Sequence, residues 1–348
     1  MEERKISVKT GYAINIVVVL LIILGTYCIV SFGLVKGYTL TILMLCGINV
    51  ILAVSLNVAT GYLGQLPLGH AGFMAVGAYT AGIYLKKTPI SEHLSSGDML
   101  SATPYIISAL LLAGVVAGIV GVLIGIPALR LRGDYLAIIT LGFGEIIRVI
   151  LQNIDGVLDF ELTGGASGLK RIPQFSSVMV VLLSVIFTIT MIHMVMQSRQ
   201  GRAILAIREN EIATESCGIS TTYYKVLAFA FSAFFAGIAG ALYAGYVGSL
   251  QPTSFGFMKS IEILVMVVLG GMGSLVGSVI SATVLTALPQ MLLVFSDYRM
   301  VVYSIVLLLM MNFRPKGLLG NYEFSMYRTL EWLFFSKKKK TKGEGEGT

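Results

Sequence analysis

Five apolar runs in this chain are each long enough for a helix to cross the hydrocarbon core of a bilayer, which takes roughly 20 residues. They are Tyr12 to Val35, Tyr38 to Ala59, Tyr105 to Pro127, Ser176 to Met196 and Tyr224 to Val247. Shorter or broken candidates follow at Leu66 to Leu85, at Leu136 to Leu151 and across Ile261 to Asn312. The expectation is an all-α integral membrane protein, a polytopic bundle of about 8–10 crossings. Composition excludes a soluble domain: 12% of the residues are charged, about half the share usual in soluble proteins.

Charge distribution predicts orientation. Clusters before the first run (Arg4, Lys5, Lys9), at Arg130 and Arg132, between Arg199 and Lys225, and beyond Asn312 hold 17 of the 25 Lys and Arg. The bias of positive loops toward the cytoplasm puts all four inside, with both termini. The net charge of +7 therefore reads as topology and membrane contact, not as nucleic-acid binding. The first run is longer than a signal-peptide core of roughly 7–15 residues and reads as an uncleaved span. The resulting organisation is a cytoplasmic N-terminus over 1–10 and a transmembrane domain over 11–320. Within it lies a cytoplasmic loop at about 198–223, and a disordered basic tail over 321–348 follows. Segments 86–103 and 154–174 are then external.

Two apolar segments are broken by glycine: GYLGQLPLGHAGF (Gly61 to Phe73) and VVLGGMGSLVGS (Val267 to Ser278). Irregular backbone at membrane depth survives only where protein or a wet cavity covers it, so re-entrant or kinked elements are expected at both. One break in each half of the chain suggests two repeats with the breaks near a translocation path. Small residues at Gly114, Gly118, Gly121 and Gly125, and at Ala236, Gly240, Ala244 and Gly248, prepare two further helices for close packing.

Polar residues in or beside apolar runs mark a candidate substrate path: Asn57, Gln65, Gly69, His70, Glu145 and Glu262. Glu145 and Arg148, three apart on a helix, can equally neutralise each other. Cys28, Cys46 and Cys217 have no disulfide or metal spacing. The loop RQGRAILAIRENEIATESCGISTTY predicts one amphipathic helix over Arg202 to Cys217, with Ile204, Ile207 and Ile212 on one side. Ser198 is its N-cap and Gly218 its stop. Its Glu209, Glu211 and Glu215 would be repelled by anionic lipid, which favours a cytoplasmic protein partner. The chain contains no GxxxxGK[ST] phosphate loop and no HExxH, so any ATP hydrolysis belongs to another polypeptide.

In order along the chain come GYLGQLPLGHAGFMAVGAYTAG (61–82), LRLRGDYLAIITLGFGEIIR (129–148), TGGASGL (163–169), GRAILAIRENEIATESCGI (201–219), EILVMVVLGGMGSLVGS (262–278) and NFRPKGLLG (312–320). Together they resemble the M-type (LivM-like) permease subunits of bacterial branched-chain amino-acid ABC transporters. The resemblance implies a non-enzymatic subunit of the inner membrane that binds no cofactor itself. It implies an H-type permease beside it, two cytoplasmic ATP-binding subunits that use ATP and Mg, and a periplasmic or lipid-anchored substrate-binding protein. Thr163, Gly164 and Gly165 would face that binding protein. Arg202, Arg208, Glu211, Ala213 and Gly218 fall where the family's coupling segment meets the ATPases; Ile212 replaces an Ala of that signature, and the glycine stands one residue late. A related importer of urea or short amides shares most of these motifs. An ion-coupled secondary transporter would leave the amphipathic loop without a purpose, and an intramembrane enzyme lacks a nucleophile beside a base.

Overall fold

The computed structural model describes residues 37–90, 99–131, 133–158 and 163–291, with Ser304 and Leu308. The first apolar run with Cys28, the two termini, Arg132, the RPKGLLG motif and the end of the last apolar stretch lie outside the described residues. Ten α-helices fall within them: α1 Tyr38–Asn57, α2 His70–Lys87, α3 Met99–Ala128, α4 Asp134–Leu158, α5 Val178–Gln197, α6 Arg199–Glu209, α7 Glu211–Ser216, α8 Thr221–Val247, α9 Phe257–Gly270 and α10 Leu275–Met291. The described residues contain no strand, only an isolated bridge between Leu169 and Leu250. Six of the helical segments are long and apolar enough to cross a membrane, and Leu275–Gln290 is a shorter apolar one. The chain is an all-α polytopic membrane protein.

Burial separates central from peripheral helices. The most apolar window of α1 is 72% buried and that of α8 67%, against 22% for α4 and for α5. α8 is held close to α2 and α3 by small residues. A Cβ on Gly77 would run into the Gly237 backbone, and one on Gly240 into Met74 O. Gly121 of α3 would put a Cβ 2.6 Å from that of Ala233, and Gly114 one 2.8 Å from Phe234 Cε2. Helices in lipid gain no hydrophobic drive toward each other, so this close dispersion contact is what joins them. Both small-residue runs thus pack inside the chain, the α3 glycines against Phe229 to Phe234 of α8 and Gly240 against α2. Gly248, grouped with the α8 residues by spacing, instead ends α8 in the left-handed conformation at φ 71°.

α1 and α10 run antiparallel, joined by polar rungs: Asn49 Nδ2 donates to Thr286 Oγ1 (2.9 Å) and Asn57 Nδ2 to Ser274 O (3.1 Å). The Tyr38 hydroxyl bonds Gln290 at the other end. The kinked element expected in the last third is the helix–break–helix of α9 and α10, interrupted over 271–274.

Three sequence expectations are corrected. The helix expected from Leu66 starts at His70, because α1 passes through a π turn at Val58–Tyr62 and the chain then runs irregularly to Gly69. The helix expected over Leu136 to Leu151 extends across Asp134–Leu158. The loop helix is two helices: Asn210 leaves helical geometry at φ −157° and caps α7, its Oδ1 accepting Ala213 N at 3.0 Å. Asparagine favours such capping over a helix interior. The split puts Ile204 and Ile207 in the core and leaves Ile212 70% exposed. Ser198 does cap the first helix, accepting from Gly201 N, and Gly218 stops the second at φ 80°.

Candidate functional site

The two glycine breaks, more than 200 residues apart in sequence, meet. Asn57, fully buried at the end of α1, spans the second break with both ends of its amide: Gly273 N donates to Oδ1 (2.9 Å), and Nδ2 donates to Ser274 O. The amide oxygen takes the Gly273 N–H, and the amide nitrogen adds a further bond to Ser274 O, which also accepts from Ser278 N and Oγ. Gly61, in the π turn, lies against Gly273 so closely that a Cβ there would overlap Asn57 Oδ1 and the Gly273 amide nitrogen. A π turn widens the helix locally and presents such groups sideways.

A third element closes the junction. Arg208, near the end of α6, donates from Nη1 to Gly61 O at 2.5 Å. Its Cγ would stand 3.0 Å from a Cβ on Gly64 and its Nη1 3.0 Å from one on Gly273. Gly64 and Gly273 have φ of 77° and 94°, values at which side-chain-bearing residues are strained. One side chain of the loop therefore touches both breaks, and the packing leaves no gap for a solute between Gly61 and Gly273. Gln65 is close in sequence, and its Oε1 is buried with no hydrogen-bond donor among the described residues.

His70 begins α2, buried, with Nε2 2.9 Å from Ser55 Oγ. Ser232 of α8 donates to Ser55 O (2.7 Å), and Ser260 of α9 accepts from Ala71 N (3.2 Å). These serines bind α1, α2, α8 and α9 around the histidine, giving it a structural hub. Gly69 sits against α4, where a Cβ would strike Thr140 O, while Thr140 Oγ1 accepts Leu68 N at 3.0 Å. Glu145 and Glu262 stand apart from this cluster. Glu145 Oε2 pairs with Arg148 Nε at 2.7 Å, as the spacing allows, and Oε1 accepts Phe257 N at 3.0 Å, placing a carboxylate on the N-terminus of α9. Glu262 pairs with Lys259 at 3.0 Å.

Thr163 is buried where the TGGASGL segment meets α4; its N–H donates to Asp155 Oδ1 (2.8 Å) and its hydroxyl to Leu151 O (3.0 Å). Gly164 and Gly165 follow with φ of 76° and 53°, and the bridge from Leu169 to Leu250 ties the segment to the end of α8. In the loop, Arg202 bonds only back to Gln197 O of the described residues (3.0 Å), Ala213 is the capped position of α7, and Glu211 pairs with the buried Lys225 of α8 at 2.7 Å. The spacing of the motifs did not reveal Lys225, Ser55, Ser232 or Ser260. The Asn210 cap was open to being read from Asn preceding a short helical run.

A bundle of membrane-length helices with two broken segments locked together, and a polar helix pair reaching that lock, is the architecture of a polytopic membrane protein with a built-in flexible junction, as a permease needs. The chain belongs to the family described as "Branched-chain amino acid transport system / permease component", which its residues 38–311 match. It is 37% identical over 324 residues to the high-affinity branched-chain amino acid transport system permease protein LivM of Escherichia coli, covering 83% of this chain and 71% of that one. It is 24% identical to the probable LivM of Methanocaldococcus jannaschii (80% and 92% covered) and 23% identical to LivH of Escherichia coli (78% and 91%). No solved structure matches.

Proposed function

We propose that this chain is the M-type permease subunit of an ATP-driven importer of leucine, isoleucine and valine, forming the translocation path with an H-type permease in the bacterial inner membrane. Both termini and the α6–α7 pair face the cytoplasm. Two separate subunits bind ATP and Mg there, and a periplasmic or lipid-anchored protein delivers substrate to the face carrying Thr163, Gly164 and Gly165. The observation that carries the reading is the contact of Arg208 with both glycine breaks. An ATP-driven shift of α6 and α7 pulls on Gly61 through Arg208 and on α8 through the pair of Glu211 with Lys225. Gly61, Gly64 and Gly273 absorb the backbone change, and the seal between α1 and the α9–α10 break opens. Asn57, Gln65 and Gly69 then border the opened path, with His70 behind them, while Glu145 and Glu262 stay outside it in their pairs with Arg148 and Lys259. The exposed Ile212 and Ala213 and the stop at Gly218 shape the surface that the ATP-binding subunits grip.

The test is uptake of radiolabelled leucine into proteoliposomes holding the complete transporter and its binding protein, with ATP supplied or withheld and unlabelled isoleucine, valine or urea as competitors. ATP-dependent uptake inhibited by isoleucine and valine alone supports the reading. Competition by urea overturns the substrate, and uptake driven by an ion gradient without ATP overturns the mechanism.

A further inference from the structure

The outward faces of three peripheral helices differ in chemistry. On α3 the exposed residues include Ile107, Leu111, Val115, Ile119, Leu123 and Ile126, and on α5 they include Leu183, Phe187, Met191 and Met194. Both are hydrocarbon surfaces that acyl chains cover without loss. α4 is as open as α5, yet its face is different. Tyr135, Ile138, Ile146, Val149 and Ile150 are exposed along it, and at its centre Gly142 leaves a notch in which an added Cβ would meet nothing within 4 Å. Beside the notch runs a polar ridge of Glu145, Arg148 and Gln152, with Arg148 donating to both neighbours. The side chains of Arg148 and Glu145 keep 26% and 33% of their exposure. They stand midway along a 25-residue helix, the depth at which a charge facing lipid is most disfavoured.

We propose that this face of α4 is the seam against the second permease subunit. The inference rests on reading the chain as one half of a two-permease core. A subunit of the LivH kind is related to this chain along most of its length. Two related subunits pair most simply across an approximate two-fold, presenting the same helix from each side. The Gly142 notch lets such helices approach, and the ion pair, still about a quarter to a third exposed, calls for a partner with hydrogen-bonding side chains at its depth. The chain's own first apolar run carries no Asp, Glu, Lys or Arg between Tyr12 and Val35 and so offers the ion pair no charged partner. Glu145 also caps α9, so a contact on the α4 ridge would reach the helix that leads to the Gly273 break.

The test places the photo-crosslinking residue p-benzoylphenylalanine singly at Ile138, Gly142 or Val149 of α4, and at Val115, Ile119 or Phe187 as controls, in the complete transporter in native membranes. The expected result is an adduct with the second permease from the α4 positions, at least about tenfold above the controls. Adducts arising from α3 or α5 instead, or joining α4 to residues 11–35 or to another copy of this chain, overturn the seam. A second measurement follows co-purification of the second permease: Gly142→Trp lowers it by about tenfold and Val115→Trp does not. Unchanged co-purification in both overturns the assignment. Unsubstituted complex serves as the separating control, since an active transporter that contains no second permease defeats the two-permease reading before any crosslink is measured.

Discussion

Replacing Arg208 by Met tests whether the loop drives the junction of the two breaks. The substitution keeps the aliphatic stem beside Gly64 and removes only the guanidinium that donates to Gly61 O and lies against Gly273. A hydrogen bond from a charged donor contributes about 1.5–3 kcal/mol when protected from water. Arg208 is exposed along part of its side chain, so about 1–2 kcal/mol is the fitting range, a factor of about 5–30 in the coupling equilibrium. ATP-dependent leucine uptake by the reconstituted Arg208→Met transporter is expected to fall by that factor. ATP hydrolysis by the partner subunits, measured on the same vesicles, continues, because the substitution cuts the link to the permease breaks and leaves the outer surface of α6 and α7 in place. Arg202→Met removes an exposed arginine from the same helix, whose bond returns to Gln197 O, and is expected to change uptake less than twofold, within about 0.5 kcal/mol. Equal uptake in the Arg208→Met and wild-type transporters would refute the argument, and so would an equal loss in both variants.

Four further outcomes are expected. Asn57→Ala removes the acceptor of the part-buried Gly273 N–H, while Ser274 O keeps its bonds from Ser278 N and Oγ; it is expected to destabilise the chain by about 1–3 kcal/mol, read as a lowered midpoint in detergent unfolding. Gly240→Leu forces a side chain into the Met74 backbone, so the purified variant should lose at least about 1–3 kcal/mol by the same assay, whereas Gly142→Leu should lose under about 1. Glu211→Gln and Lys225→Met each weaken the tie of α7 to α8; the double variant should be less impaired than the two single losses combined, as a double-mutant cycle on uptake would record. Gly218→Pro cannot adopt φ 80° and should abolish uptake while membrane content, measured by immunoblot, stays near wild type.

The helical class was legible because apolar length is a strong signal, and four of the five long runs announced α1, α3, α5 and α8 to within six residues; the first run lies outside the described residues. The two breaks were legible as breaks, since glycines at 61, 64 and 69 with Pro67 among them, and at 270, 271 and 273, fall too close together to sustain a helix. Their meeting was not, because no local pattern says that Asn57 will reach across to Gly273. Arg208 was singled out from its place in a family motif, yet its inward reach depends on the α6 turn that buries Ile204 and Ile207 on the same side. The single loop helix failed at Asn210, where a capping bond outweighed continuous helix propensity over only six further residues.

The rungs between α1 and α10 have a consequence for how the chain comes to exist. Asn49 and Asn57 enter the membrane early in synthesis, yet their partners Thr286 and Ser274 lie 237 and 217 residues downstream. At a translation rate of about 5–20 residues per second, that interval is about 10–50 s. Through it, two amides that end fully or nearly buried have neither of the groups they finally bond. Water, the insertion machinery or a temporary neighbour must hold them, and a ribosome pausing before Leu275 would lengthen the exposure. The same polar contacts that finish the bundle thus set a waiting period on its assembly.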